Sequence, residues 1–530
     1  MKIAILFCLL AMFTVSCNAA TEFDDPMGNP KRAEWMSGKY GMMTHYLPSP
    51  VSGDELGAYT TPEERARLEE LTEEEKTAIF NRIVDNFNLK LYMKEFDQSG
   101  ADYLIFTVGQ NTKYYTSYNS VIESVTPGHC SKRDLVMEIA KEVKKRKKGF
   151  IFYIPCDSRW IDDGSGYYET WTKVCEEYSK KLGKLCDGWW IDGCNPMELN
   201  TEKGEKLARA MRSGNPKSAL AFSDASYAGD SLKTTIKWND YFPGEVHVVE
   251  DGYIRHDCLF PHLNPYLNED GYVRVKYDAP KFFVPKEKYM DGVLLHALIP
   301  MDLTFNPAVL TEWVPYRDKD NIALAHSFTD VGGAITFNVP LKIDGTIPEE
   351  SLNKLIAIGK SYKGAAAKKK YPLDPEVLKR AKRPVMENPN PKNIAFGKPS
   401  KLLSWDCTQE GMPSAGSAHA YKGNDGIFET GAAPAYMWNW TYEIDLEKVC
   451  SISRMELYFL GWSTDFDIFI SADGENWENI RHIDNSANNQ EFKFDINKSF
   501  RFIRVRSNKP DGEGQPGGQM TVAELQLFED

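Results

Sequence analysis

Between about residues 35 and 362, short apolar runs alternate with stretches of helical spacing, and few folds accept that pattern. Ala101–Thr107 (ADYLIFT), Phe150–Ile154 (FIFYI), Gly188–Ile191 (GWWI) and Ala219–Phe222 are the runs. Arg133–Lys147, Tyr167–Leu182 and Leu207–Arg212 carry the helical spacing between them. Runs with no polar alternation are strands covered on both faces, and alternation with helices makes their sheet parallel. The length of the region suits a (β/α)8-type barrel, although a doubly wound open sheet has the same periodicity.

The rest of the chain is organised differently. Residues 363–392 are rich in Lys and Pro and read as a linker. In 393–530, Trp440–Leu446, Arg454–Leu460, Phe466–Ser471 and Phe500–Ser507 are short alternating stretches between turn clusters, the pattern of an all-β sandwich. At the other end, Lys2 precedes an apolar run, Ile3–Val15, followed by Ser16-Cys17. This reads as a bacterial lipoprotein signal, 1–17, with Cys17 lipidated; an ordinary signal peptide cut near Ala19-Ala20 is the alternative. Either predicts export, to the periplasm or outer-membrane surface of a Gram-negative cell, with membrane contact only through the lipid. The formal charge, 63 − 76 = −13, opposes a phosphate backbone and excludes nucleic acid as the natural partner. Cysteines 130, 156, 175, 186, 194, 258, 407 and 450 form no CxxC pair and read as buried thiols; sequence alone does not decide a Cys407–Cys450 disulfide.

Parallel barrels place their chemistry just beyond the C-terminal ends of the strands. Asp192 ends the run DGWWID, beside Trp189 and Trp190, and is expected at the barrel mouth next to an aromatic wall; capping the following helix is the competing use. His45 ends KYGMMTH and Tyr153 ends FIFY. Either serves equally as a core residue.

Lys39–His45, Gly100–Thr107, Ser131–Leu135 (SKRDL), Trp189–Gly193 (WWIDG) and Gly333–Ser351 (GAITFNVPLKIDGTIPEES) together resemble, in order, segments of the family 29 glycoside hydrolases, the α-L-fucosidases. The resemblance covers residues 30–362 and implies a catalytic barrel that hydrolyses α-L-fucosides on glycans with retention, without a catalytic cofactor. It implies Asp192 as nucleophile, and His45, Gln110, Asn111, Tyr153 and Trp190 as sugar contacts. The acid/base is expected in Phe242–Gly252 (FPGEVHVVEDG). Glu250 is preferred to Glu245, because the run Val246–Val249 reads as a strand ending at Glu250; Glu287 is a weaker choice. One departure matters. Where the family has paired histidines this chain has Gln110-Asn111, amides that do not titrate. That substitution opens two alternatives: the same chemistry on another sugar, or a non-catalytic glycan-binding surface lipoprotein.

Asn393–Pro399, Asp425-Gly426, Tyr442–Leu446, Ser471–Trp477 (SADGENW), Arg501–Arg504 and Ala523–Leu525 are similar to the discoidin, or factor 5/8 type C, modules that include family 32 carbohydrate-binding modules. The likeness implies a sugar-binding sandwich over 393–530 and a structural Ca²⁺ held by Asp425 and Glu524.

Overall fold

The computed structural model describes residues 23, 25–50, 59–110, 112–155, 161–223, 236–246, 249–250, 253–254, 272–273, 283–301, 318–374, 388–404, 420–429, 431–432, 440–509 and 520–529. Seven short strands form one parallel sheet: β1 (Tyr40–Thr44), β2 (Tyr103–Thr107), β3 (Gly149–Pro155), β4 (Gly188–Asp192), β5 (Ala219–Phe222), β6 (His296–Pro300) and β7 (Ala334–Val339). Their order is β6-β7-β1-β2-β3-β4-β5. Helices α1 (Glu73–Asp85), α2 (Leu89–Ser99), α3 (Leu135–Lys145), α4 (Tyr167–Leu182), α5 (Glu202–Arg212), α6 (Asp318–Thr329) and α7 (Glu349–Ser361) lie between strands in the chain. Local chemistry sets their starts. Thr72 and Glu75 form a reciprocal capping box on α1, and the Asn88 and Asp134 side chains accept from the first turns of α2 and α3.

The two edges of the sheet are joined by residues 240–246. Asp240 N–H donates to Leu220 O on β5 (2.8 Å). Beyond it, Tyr241 and Glu245 make parallel bridges to Leu294 and Leu298. With this segment as the eighth stave, the barrel closes. Four donors hold its first residue: Asn29 N–H (2.7 Å) and Arg32 (3.1 Å) on one Asp240 oxygen, Arg212 (2.7 Å) and Leu220 N–H (2.8 Å) on the other. The side chains of Arg32 and Asp240 are wholly buried, so this charge is stable only because it is paired.

Side chains alternate across each strand. Met42, Leu104, Phe106, Phe150, Phe152, Trp189, Ile191, Leu220 and Phe222 face the helices in one large core. Met43, Tyr103, Ile105, Ile151, Tyr153, Trp190, Ala219, Ala221, Tyr241 and Leu298 fill the barrel interior. Among the described residues no helix is long and apolar enough to cross a membrane. Cys130, Cys175, Cys186, Cys194 and Cys450 are buried thiols; Cys156, Cys258 and Cys407 lie outside the described residues.

The C-terminal region is antiparallel: β8 (Ser400–Ser404), β9 (Trp440–Phe459), β10 (Asp465–Ser471), β11 (Glu478–Asp484), β12 (Glu491–Ser507) and β13 (Val522–Phe528), ordered β8-β9-β12-β10-β11 with β13 also on β9. The stretches expected at Trp440–Leu446 and Arg454–Leu460 are one strand. Glu447 takes a left-handed conformation (φ 69°) and donates its N–H to Asp445 Oδ1, so the polar cluster makes a bulge where a reversal was expected.

Inside the barrel, Gly41 leaves room for the Tyr103 ring; a Cβ there would lie 2.1 Å from a ring carbon. That ring is pinned by its hydroxyl, which donates to Ile335 O at 3.0 Å. Gly41→Ala is expected to destabilise the protein by about 1–3 kcal/mol, as overpacking does. An unchanged urea midpoint would mean that the ring yields.

Candidate active site

The alternation that fills the interior also sets what stands at its mouth. His45 follows Met43 by two residues, Asp192 follows Trp190, Ser223 follows Ala221, Asn338 follows Thr336, and Glu245 follows Tyr241 by four. Each therefore points inward at the C-terminal end of its stave. These five polar residues replace the apolar layer below.

Asp192 is mostly buried, and its carboxylate accepts from every neighbour named here. Gly193 N–H donates to Oδ1 (2.9 Å). Gln110 Nε2 donates to Oδ2 (2.8 Å) and to the Tyr153 hydroxyl (2.8 Å), and that hydroxyl donates to the same Oδ2. A carboxylate fixed by donors on both oxygens presents its lone pairs in a set direction. Beneath it Tyr153 stacks on Trp190, centroids 5.0 Å apart, and Trp190 Nε1 donates to Pro243 O (2.9 Å).

His45 packs edge-on against Tyr153, ring centroids 5.2 Å apart, and its Nδ1 meets Asn338 Oδ1 at 2.9 Å, which places the ring proton on Nδ1. Burial lowers the His45 pKa; the Asn338 bond and the charge of Glu245 oppose that shift. Glu245 Oε2 accepts from Ser223 Oγ (3.0 Å). Just before it, Gly244 has φ 67°, and a Cβ there would fall 2.2 Å from His296 O, so glycine is required to carry the segment past β6. His296 sits lower, between Phe242 O and Thr336 Oγ1 (2.8 Å each), and burial holds its pKa at about 4.

Several expectations are corrected. Trp189 and Trp190 form no common wall: successive strand residues diverge, so Trp189 packs under the helices and Trp190 is floor, 1% exposed. No barrel strand runs to Glu250. Among the described residues the stave's last barrel hydrogen bond is Val246 N–H to Leu298 O, and Val249–Glu250 pairs antiparallel with Tyr253–Ile254, off the barrel sheet. Pro243 and Gly244 disguise the true stave as a loop. The Glu250 side chain, Asn111 and Cys17 lie outside the described residues. Glu287 is exposed beside Lys288, which pairs with Glu34 ahead of β1, at the opposite end of the barrel. Ser223 and Asn338 were not singled out from sequence; a polar residue closing an apolar run (ALAFS, AITFN) is the signal that finds them.

In the C-terminal region, Glu524 accepts from Gly426 N–H (3.0 Å) and Asn393 Nδ2 (3.3 Å). Burial, and the nearby charge of Asp425, raise its pKa to about 8. Residues 407–524 match the family model of the F5/8 type C domain. The C-terminal sandwich is an F5/8 type C domain. No curated protein sequence matches the chain. Among solved structures, a Ruminococcus gnavus family 29 fucosidase in complex with fucose is 12% identical, covering 97% of each chain with a TM-score of 0.40. An endo-fucoidan hydrolase of glycoside hydrolase family 107 is 15% identical, covering 66% of this chain and 97% of its own, with a TM-score of 0.42. A chitosan-binding module from a Paenibacillus sp. IK-5 chitosanase/glucanase is 15% identical, covering 26% of this chain and 98% of its own, with a TM-score of 0.21. Likenesses this distant carry no activity across.

The two buried histidines make the site pH-sensitive. The folded pKa values of His45 and His296 lie below the ordinary histidine value of 6.5, so on acidification the unfolded chain takes up protons that the folded one resists. Stability is therefore expected to fall between about pH 6.5 and pH 4. Removing an opposing influence should lower the His45 pKa further: Asn338→Ala and Glu245→Gln are expected to depress it in an NMR titration. A His45 value unmoved by Glu245→Gln would remove Glu245 from the mouth.

Proposed function

We propose that the barrel is a retaining exo-glycosidase acting on α-L-fucosides or closely related α-L-glycosides of complex glycans, and that Asp192 is its nucleophile. The observation that carries this reading is an inward carboxylate at a strand end, fixed by Tyr153, Gln110 and the Gly193 amide, with a second carboxylate, Glu245, two staves away on the same mouth. Two inter-strand spacings separate their backbones by about 10 Å. Two inward side chains can close that gap to the roughly 5 Å of a retaining pair.

In the first step Asp192 attacks the anomeric carbon, the bond to the aglycone oxygen breaks, and that oxygen takes a proton from the acid. In the second, the same group removes a proton from water, whose oxygen attacks the anomeric carbon and releases Asp192. Glu245 is assigned this acid/base role in place of Glu250, because it lies on the barrel stave whereas Glu250 pairs off the barrel sheet. His45, kept neutral by burial, and Asn338 are assigned to the binding of sugar hydroxyls. One observation favours a sugar other than plain fucose. Both amide hydrogens of Gln110 are engaged, by Tyr153 and by Asp192, so this position orients the nucleophile and offers no titrating group.

Asp192→Ala is expected to cut turnover of an activated aryl α-L-fucoside or α-L-galactoside by roughly three orders of magnitude, with partial rescue by azide. Near-normal turnover refutes the assignment. Glu245→Ala should slow substrates with poor leaving groups far more than activated ones. If Glu250→Ala shows that dependence instead, the roles reverse; if neither does, the acid lies elsewhere.

The F5/8 type C domain is read as a glycan-binding module on an exported, Cys17-lipidated protein, with residues 30–362 catalytic, 363–392 the linker and 393–530 the module. Its Asp425 and Glu524 fit a structural Ca²⁺. Both are buried, Glu524 is destabilised as an anion, and Asp425 places a second negative charge close to it. No third acidic, His or Cys ligand joins them among the described residues, so neutral oxygens would complete the shell, as calcium accepts. Calcium at a hundred times its Kd is expected to stabilise the domain by about 2.7 kcal/mol, and Asp425→Asn should abolish the Tm shift. Equal shifts in both proteins would place the ion elsewhere.

A further inference from the structure

Tyr272 and Val273 belong by sequence to the barrel region, yet they are built into the F5/8 type C domain. Strand β8 is the edge of its sheet, and Val273 pairs with it: Val273 N–H donates to Ser400 O (2.8 Å), and Ser400 N–H to Val273 O (3.3 Å). The Val273 side chain is 1% exposed and shares a core with Ala395, Leu402 and Tyr442. Tyr272 lies under Lys401, whose ammonium is 4.2 Å from the ring centre, and its hydroxyl donates to Glu443. That carboxylate is buried and already held by Arg504 and Lys401 of its own sheet, so it is an acceptor organised before Tyr272 arrives. An edge strand attracts a partner, and here a barrel-region segment takes the place. At its upstream end the same chain is fixed in the barrel, where Val246 N–H donates to Leu298 O (3.0 Å).

The chain that leaves Glu245 is therefore held at Val246 by the barrel and at Val273 by the other domain. We propose that Tyr272 and Val273 are positioning residues for the barrel site: through them the F5/8 type C domain holds this chain and sets the rate at the barrel, beyond any role in attachment to glycan. The kinetic part rests on the glycosidase reading; the structural part does not. A misplacement of about 1 Å at a reacting group costs on the order of a hundredfold in rate, so a loosened anchor has a measurable kinetic effect.

The test uses the full-length protein with Tyr272→Ala and Tyr272→Phe, the second keeping the ring over Lys401 and losing only the hydroxyl. The substrate is a small aryl glycoside, too small to span both domains, so lost glycan attachment would not affect it. Tyr272→Ala is expected to lower kcat about tenfold or more with KM within twofold, and Tyr272→Phe to recover most of it. In parallel, amide exchange should quicken at Ser400 and also at Val246. If the wild-type protein is active and Tyr272→Ala leaves kcat unchanged, the proposal is overturned whatever exchange shows. If the wild-type protein turns over no glycoside, the catalytic reading fails separately and exchange decides: faster exchange at Ser400 and Val246 supports the anchor, whereas a change at Ser400 alone, or at neither, overturns it. Should Tyr272→Ala not fold, Val273→Ala takes its place with the same criteria.

Discussion

Four donors converge on the buried carboxylate of Asp240, and the closure of the barrel depends on them. The charge is tolerated in the interior only because two guanidinium groups and two backbone N–H groups answer it; removing one would leave an uncompensated ion at a cost of several kcal/mol. The pairing also fixes register. Because strand side chains alternate with a period of two, a slip of one residue would turn every inward group outward. Asp240 thus determines, five residues before it, that Glu245 faces the mouth.

Above that base the mouth is assembled from residues far apart in the chain. No local motif holds His45, Asp192, Ser223, Glu245 and Asn338; the barrel brings them together. Their hydrogen bonds divide the ring into two neighbourhoods. Donors converge on Asp192 from Gln110, Tyr153 and Gly193, while Ser223 donates to Glu245 and His45 pairs with Asn338. The two carboxylates therefore stand in unlike surroundings.

Much of this was legible in the sequence, and the failures have physical causes. Apolar runs such as ADYLIFT and FIFYI marked buried parallel strands because covering both faces removes polar alternation. Asp192 was visible because it ends such a run. The closing stave was not: DYFPGEV carries Pro243 and Gly244, which read as a turn, and its pairing comes from isolated bridges and the Asp240 cluster. That is why the apolar run beyond it pointed to Glu250. The Trp189–Trp190 wall failed on strand geometry, since neighbours in a strand face opposite ways. The bulge at Glu447 and the docking of Tyr272 depend on partners distant in the chain, which local periodicity does not encode.

The stack beneath the mouth has a mechanical consequence. Asp192 is held by Tyr153, Tyr153 rests on Trp190, and Trp190 bonds to Pro243, two residues before Glu245. Asp192 therefore stands on a stiff stack of aromatic rings that reaches the backbone of the stave carrying Glu245. A barrel so braced resists change at its floor. Adaptation falls to the rim, where Gln110 already differs from the residue its position would carry in the family this region resembles.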